Sequence, residues 1–212
     1  MRGLYSVGVH PQTSAPAARA ERPAPPLWAL AGVVVATWLG AFLFALPIGS
    51  ALTALRMALN ASSAQTLLVP ILFLVGGAVG AAVGWLVGRT APNAVAIPGV
   101  GLMALGLLVT AFAPTITVVL AGRVLTGLGA GLAAGAAVAL VRRVAAAHRT
   151  VVVVVSAAVA VAAVAVGWLY GGVVGTATSI RLAFLLALPV VLLVAVAVVV
   201  IAVLQQVRPT PR

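Results

Sequence analysis

One side chain is placed to do charged chemistry inside an apolar stretch: Arg123, within LAGRVLTGLGAGLAAGAAVALV from Leu120 to Val141. A membrane-crossing helix needs about 20 predominantly apolar residues, and this run is long enough. An arginine at membrane depth costs roughly 2.5 to 3.5 kcal/mol on insertion scales and normally faces a bundle interior or a wet cavity. Gly127, Gly131 and Gly135 follow Arg123 at every fourth position, so charge and glycine strip share one helix side. The pattern predicts a helix lining a polar path. Arg123 then either holds an anionic group or braces the bundle by bonding backbone carbonyls; near a helix end it would instead snorkel to the headgroups.

Little other chemistry is available. All twelve basic residues are arginine, the only acid is Glu21, and there is no cysteine. Paired carboxylates, carboxylate metal sites, thiol catalysis and disulfides are therefore excluded, as is a membrane-embedded acid to carry protons. His10 and His148 have no neighbouring ligands, so neither marks a metal site, and no cofactor or enzyme activity is expected. Trp38 and Trp168 can stack on an apolar substrate if they face a cavity, or else contact lipid or core.

The elements that must position these residues are membrane helices. With 64% hydrophobic and 6% charged residues and a mean hydropathy of +1.30, the chain reads as an integral, all-α membrane protein. Six spans are expected, at about 27–49, 66–88, 94–113, 116–141, 150–172 and 180–204. They form a 27–204 transmembrane domain between a disordered tail at 1–26 and a short tail at 205–212. The first tail has no uninterrupted apolar segment before a cleavage site, so the first span, with Trp28 at an interface, is expected to be an uncleaved anchor. Residues 50–65, SALTALRMALNASSAQ, read as a polar connector. Gly76, Gly80, Gly84 and Gly88 form a small-residue ridge on span two, and Gly167, Gly171 and Gly175 form another on span five; each predicts close helix contact.

Charge sets orientation. Arg2, Arg19, Arg22, Arg89, Arg142, Arg143, Arg149, Arg208 and Arg212 fall on one side, and only Arg56 and Arg181 on the other. The excess predicts that both termini are cytoplasmic. The net charge of +11 is thereby read as topology and attraction to anionic membrane lipids, each arginine contributing about 1 kcal/mol near the surface, and not as nucleic-acid binding. Heavy use of Ala, Val, Gly and Arg without Lys suggests a GC-rich bacterial genome, and a multi-pass location in the plasma membrane is expected.

The order of motifs resembles the first six helices of a major facilitator superfamily transporter, most closely the fourteen-helix drug:proton antiporters. Span one ends in Ala45-Leu46-Pro47, like the family's A-L-P. The next cytoplasmic loop keeps Gly84, Leu86 and Arg89 of G-x-L-x-D-R-x-G-R-R, with Gly88 in the acid's place. Arg123, Gly127, Gly129 and Gly131 reproduce R-x-x-x-G-x-G-x-G completely. Gly167, Gly171 and Gly172 resemble G-P-x-x-G-G, with Trp168 for the proline. Ser179, Arg181 and Phe184 resemble S-W-R-W-x-F, followed by Pro189. The acid that such antiporters carry in span one falls at Trp38.

The resemblance implies a three-plus-three half bundle in which spans one and four line a central cavity and spans two and five face an opposite half. It also implies alternating-access efflux of small apolar or anionic compounds, with Arg123 and Trp38 beside the path and the second half supplied by a homodimer or a partner membrane subunit. The alternative is a non-transporting membrane subunit or scaffold derived from such a half.

Overall fold

A computed structural model describes residues 27–90, 92–142 and 146–207. The N-terminal tail with Glu21 and His10, the side chain of Trp28, Arg143, and the end of the chain with Arg208 and Arg212 lie outside the described residues. The described residues form seven helices: α1 (Leu27–Ala45), α2 (Ser50–Ala58), α3 (Ser63–Gly88), α4 (Pro92–Ala111), α5 (Ile116–Val141), α6 (Ala146–Ala177) and α7 (Ile180–Val207). Among the described residues four helices are long and apolar enough to cross a membrane: Ser63–Gly88, Ile116–Val141, His148–Ala177 and Ile180–Ile201. A bent pair, Ala31–Ala45 with Ser50–Ala58, makes a fifth if taken as one span, and Val95–Ala111 is a shorter apolar helix.

The first span does not run on to Gly49. Pro47 has no N–H to donate to Leu43, Ile48 N–H bonds Ala45 carbonyl at 2.9 Å instead of reaching back four residues, and Gly49 takes a left-handed φ of +79°. The chain thereby turns by 61° into α2.

Most of the 50–65 polar connector is helical, α2 taking Ser50–Ala58 and α3 beginning at Ser63. Ala51 and Leu55 are buried one turn apart while Thr53, Arg56 and Met57 face outward, so a short amphipathic helix forms despite its modest apolarity. α3 also begins before the apolar run does. Ser62 and Gln65 form a reciprocal capping box, Gln65 N–H to Ser62 Oγ at 3.2 Å and Ser62 N–H to Gln65 Oε1 at 3.0 Å.

α5 sits at the centre, packed by α3, α4 and α1, and its buried face carries Arg123, Thr126 and a series of glycines and alanines. The α3 ridge interlocks with it. A Cβ on Gly80 or Gly84 would run into the backbone of Leu128 or Leu132, and one on Gly127, Gly131 or Gly135 into the backbone of Phe73, Gly77 or Ala81. One expectation is corrected by this contact. The Gly76–Gly80–Gly84–Gly88 ridge takes its partner from the same chain, not from an opposite half, and the glycine strip below Arg123 packs on α3, with Gly131 also bordering a groove between α1, α3 and α5. The physical reason is mutual: each bare ridge is the surface the other can approach most closely.

On the far side of α5, Thr110 and Thr126 return their hydroxyls to Gly106 and Gly122 carbonyls, each at 2.8 Å, so these buried donors are satisfied without water. Outward faces stay apolar: Leu67, Ile71 and Val79 on α3, Val154 and Val161 on α6, and Leu193 and Val196 on α7 are all exposed.

Candidate functional site

Of the motif residues, Pro47, Arg123, Gly167, Gly171 and Gly172 meet at the break between α1 and α2, whereas Gly84 packs on Leu132, Arg89 lies over Trp85 and Arg181 bonds Ala113. In a continuous helix Leu43 carbonyl would accept from residue 47 and Phe44 carbonyl from residue 48; the first donor is missing at Pro47 and the second is diverted to Ala45. Arg123 supplies both. Its Nη1 donates to Leu43 carbonyl at 2.9 Å and its Nη2 to Phe44 carbonyl at 3.2 Å. The guanidinium carbon lies 4.6 Å from the centroid of the Phe73 ring on α3, a favourable place for a desolvated cation. Arg123 is only 1% exposed, and its Nε has no hydrogen-bond partner among the described residues. Its charge faces the C-terminal end of α1, where the helix dipole is negative.

α6 closes on the same break. Gly167 lies against the Phe42 carbonyl, Gly171 against the Leu46 carbonyl and Gly172 beside Ser50, while the Trp168 indole rests on Gly49. A side chain at Gly171 would occupy the space of the Leu46 backbone. Gly175 approaches Ile180 and Ala51, so this ridge, too, is engaged within the chain. Tyr170 stacks at a tilt on Phe42, centroids 5.6 Å apart, and its hydroxyl donates to Ala183 carbonyl at 3.2 Å. Pro47 is buried within this assembly. Arg181, at the start of α7, donates through Nη2 to Ala113 carbonyl at 3.2 Å, tying α7 to the end of α4.

Trp38 stands apart from Arg123. It lies on α1 about two turns before the break, with its Nε1 donating to Ser156 carbonyl on α6 at 3.2 Å. It lines a groove of about 380 Å³ between α1, α5 and α6, together with Val34, Thr37, Ala137, Val138 and Arg142. A second groove of about 440 Å³ opens between α1, α3 and α5, lined by Thr37, Phe44, Phe73, Gly77, Ala134 and others. The two share Thr37 and Ala134. Arg123 is not among the residues lining either groove.

The arginines sort to two ends. Arg89 lies over the Trp85 ring at 3.5 Å and Arg142 over it at 5.8 Å, while Arg149 Nη2 donates to the Arg142 carbonyl at 3.2 Å. Arg181 is at the other end, beside Leu55, Ala58 and Leu59.

Sequence reasoning brought out Arg123, Trp38, Pro47 and the α6 glycines but missed the groove walls Thr37, Ala134, Ala137 and Val138. Small residues at 130, 134 and 137 on the face of α5 were the available signal, since a cavity between packed helices requires short side chains on one of them. Arg142 was visible as an orientation charge that attracts anionic lipid heads, not as part of a groove wall.

No curated protein matches the chain. The profile of the Major Facilitator Superfamily matches residues 15–212, nearly the whole sequence, and the chain belongs to that superfamily.

Proposed function

We propose that this chain forms one six-helix half of a membrane transporter that moves small apolar or anionic compounds by alternating access, working against a second half in the same polypeptide, a second copy or a partner subunit. The observation that carries the reading is the pair of grooves sharing Thr37 and Ala134 along α1 and α5, the first and fourth long helices. These are the helices that line the central cavity in a three-plus-three half. In this reading α1 with α2 is one broken span, α4 spans with its flanking residues, and both termini are cytoplasmic. The arginines at the ends of α3 and α5 face the cytoplasm. Trp38 contacts the cargo, and Arg123 serves the path by fixing the shape of the α1–α2 break.

The test is flux of an apolar or anionic cargo into proteoliposomes holding the chain with its second half. Ala134→Trp, which fills the space common to both grooves, should stop flux while membrane levels stay normal; unchanged flux would place the path elsewhere. A second reading, a non-transporting membrane subunit, is favoured by one observation: Arg123 is spent on backbone carbonyls. It predicts no flux of any cargo, together with loss of a partner protein from the membrane when this chain is deleted.

A further inference from the structure

We propose that the groove between α1, α5 and α6 is a binding site for a single-chain amphiphile carrying one anionic group, such as a long-chain carboxylate, with its head on Arg142 and its chain along Trp38. The walls are Val34, Ala137, Val138, Val141 and Val153, all apolar, and the one charged group lining the space is Arg142. Arg142 is exposed at the end of α5, where its guanidinium can turn between the Trp85 face and the groove. Among the described residues no acid lines this groove. A cationic amphiphile therefore finds no counter-charge there, and an anionic one finds the Arg142 guanidinium, a group of the kind that binds carboxylates.

Trp38 supplies the other half of the site. Its indole is held across the groove by the 3.2 Å bond to Ser156 carbonyl on α6, so it offers a fixed apolar wall at little entropic cost. The volume, about 380 Å³, is at the small end of the roughly 300 to 1,000 Å³ typical of ligand pockets. That volume accommodates one alkyl chain. The inference rests on the transport reading for what the site serves, but not for whether it binds.

Binding is measured on the full chain in phosphatidylcholine nanodiscs, by fluorescence titration with dansylaminoundecanoate and with the same dansyl chain ending in an alcohol. The acid should bind about tenfold more tightly than the alcohol, as one charge-assisted contact provides. Arg142→Gln should remove that tenfold for the acid and leave the alcohol unchanged. Arg142→Lys should restore part of it, and Ala137→Phe should weaken both probes by filling the groove. An unchanged affinity of Arg142→Gln for the acid, or an equal loss for both probes, would overturn the proposal. So would full displacement of the acid by equimolar phosphatidylglycerol, which would make a two-chain lipid the occupant. The expected binding pattern without flux would count against the transport reading alone, whereas flux without the pattern would count against this site alone.

Discussion

Arg123 and Pro47 should be energetically coupled, because one creates the vacancy that the other fills. Replacing Arg123 with Ala leaves the carbonyls of Leu43 and Phe44 without their side-chain donor and removes the cation from the Phe73 face. A deserted buried acceptor costs about 1 to 3 kcal/mol. Hydrogen bonds between membrane helices fall at the low end, averaging about 0.6 and reaching about 1.7 kcal/mol. Taking about 1 kcal/mol per carbonyl, and about 1 more for the ring contact and the cavity left by a long side chain, Arg123→Ala should destabilise the bundle by about 3 kcal/mol. Relief from burying a charge is included in these net values. Pro47→Ala changes the account at one atom, since residue 47 regains an N–H that can reach Leu43 carbonyl in the helical pattern. The bond from Leu46 N–H to Phe42 carbonyl at 3.1 Å already continues that pattern one residue beyond α1. In the Pro47→Ala background the cost of Arg123→Ala should therefore fall by about 1 kcal/mol. The assay is a double-mutant cycle of reversible unfolding in mixed micelles titrated with dodecyl sulfate. Additivity to within about 0.5 kcal/mol, or a cost for Arg123→Ala below about 1 kcal/mol, would refute the assignment of Arg123 as the donor to this break.

Three further outcomes follow from the packing. Gly80→Ala drives a Cβ into the Leu128 backbone, whereas a Cβ on Gly101 meets nothing within 4 Å; thermal unfolding should show a loss of about 1 to 3 kcal/mol for the first and none for Gly101→Ala. If the two variants behave alike, the α3–α5 ridge is misplaced. Because the chain has no cysteine, Thr90→Cys and Thr178→Cys can each be labelled alone, and they should react with an impermeant maleimide from opposite sides of the membrane. Arg181→Ala removes the bond to the Ala113 carbonyl at a partly open site and should cost about 0.5 to 1.5 kcal/mol, with Arg181→Gln recovering part; a neutral Arg181→Ala in the same unfolding assay would mean that the α4–α7 tie contributes nothing.

How legible each element was depended on whether its cause is local. α5 carries its own limits, Pro114 before it and Arg142 after it, and its expected bounds of 116–141 coincide with the helix. α2 was missed because nine residues with only two buried positions carry too short a period to separate from a loop. α3 starts at Ser63 and not at Thr66, since its first turn is set by the Ser62 cap and not by apolar residues. The glycine ridges were recognised as contact surfaces, yet a ridge states only that something comes close. It does not say which helix does, and the internal partner was assigned to another half. Arg123 was the instructive case. Its burial was readable from its neighbours, but its partner lay eighty positions away, encoded in the absence of an N–H at Pro47.

That absence also explains why Arg123 and the α6 glycines meet at the end of α1. A break in a membrane helix exposes backbone polar groups that hydrocarbon cannot satisfy, so it persists only where protein covers it. At the end of α1 the cover comes from two directions. α5 contributes a cation long enough to reach two carbonyls at once, and α6 contributes glycines that allow its backbone to lie directly on Phe42 and Leu46. Neither is replaceable by a residue of similar hydropathy: a leucine at position 123 would bring no donor, and an alanine at position 171 would collide with the Leu46 backbone. The same geometry separates the roles of the two residues expected beside the path. Arg123 is held against the break with 1% of its surface exposed, which leaves Trp38, about two turns away along α1 and bonded to α6, as the one that borders open space. A rigid break held by charge and a cavity walled by short side chains are thus parts of one construction, since only a helix fixed at its end can hold the α1 wall of a groove at constant width.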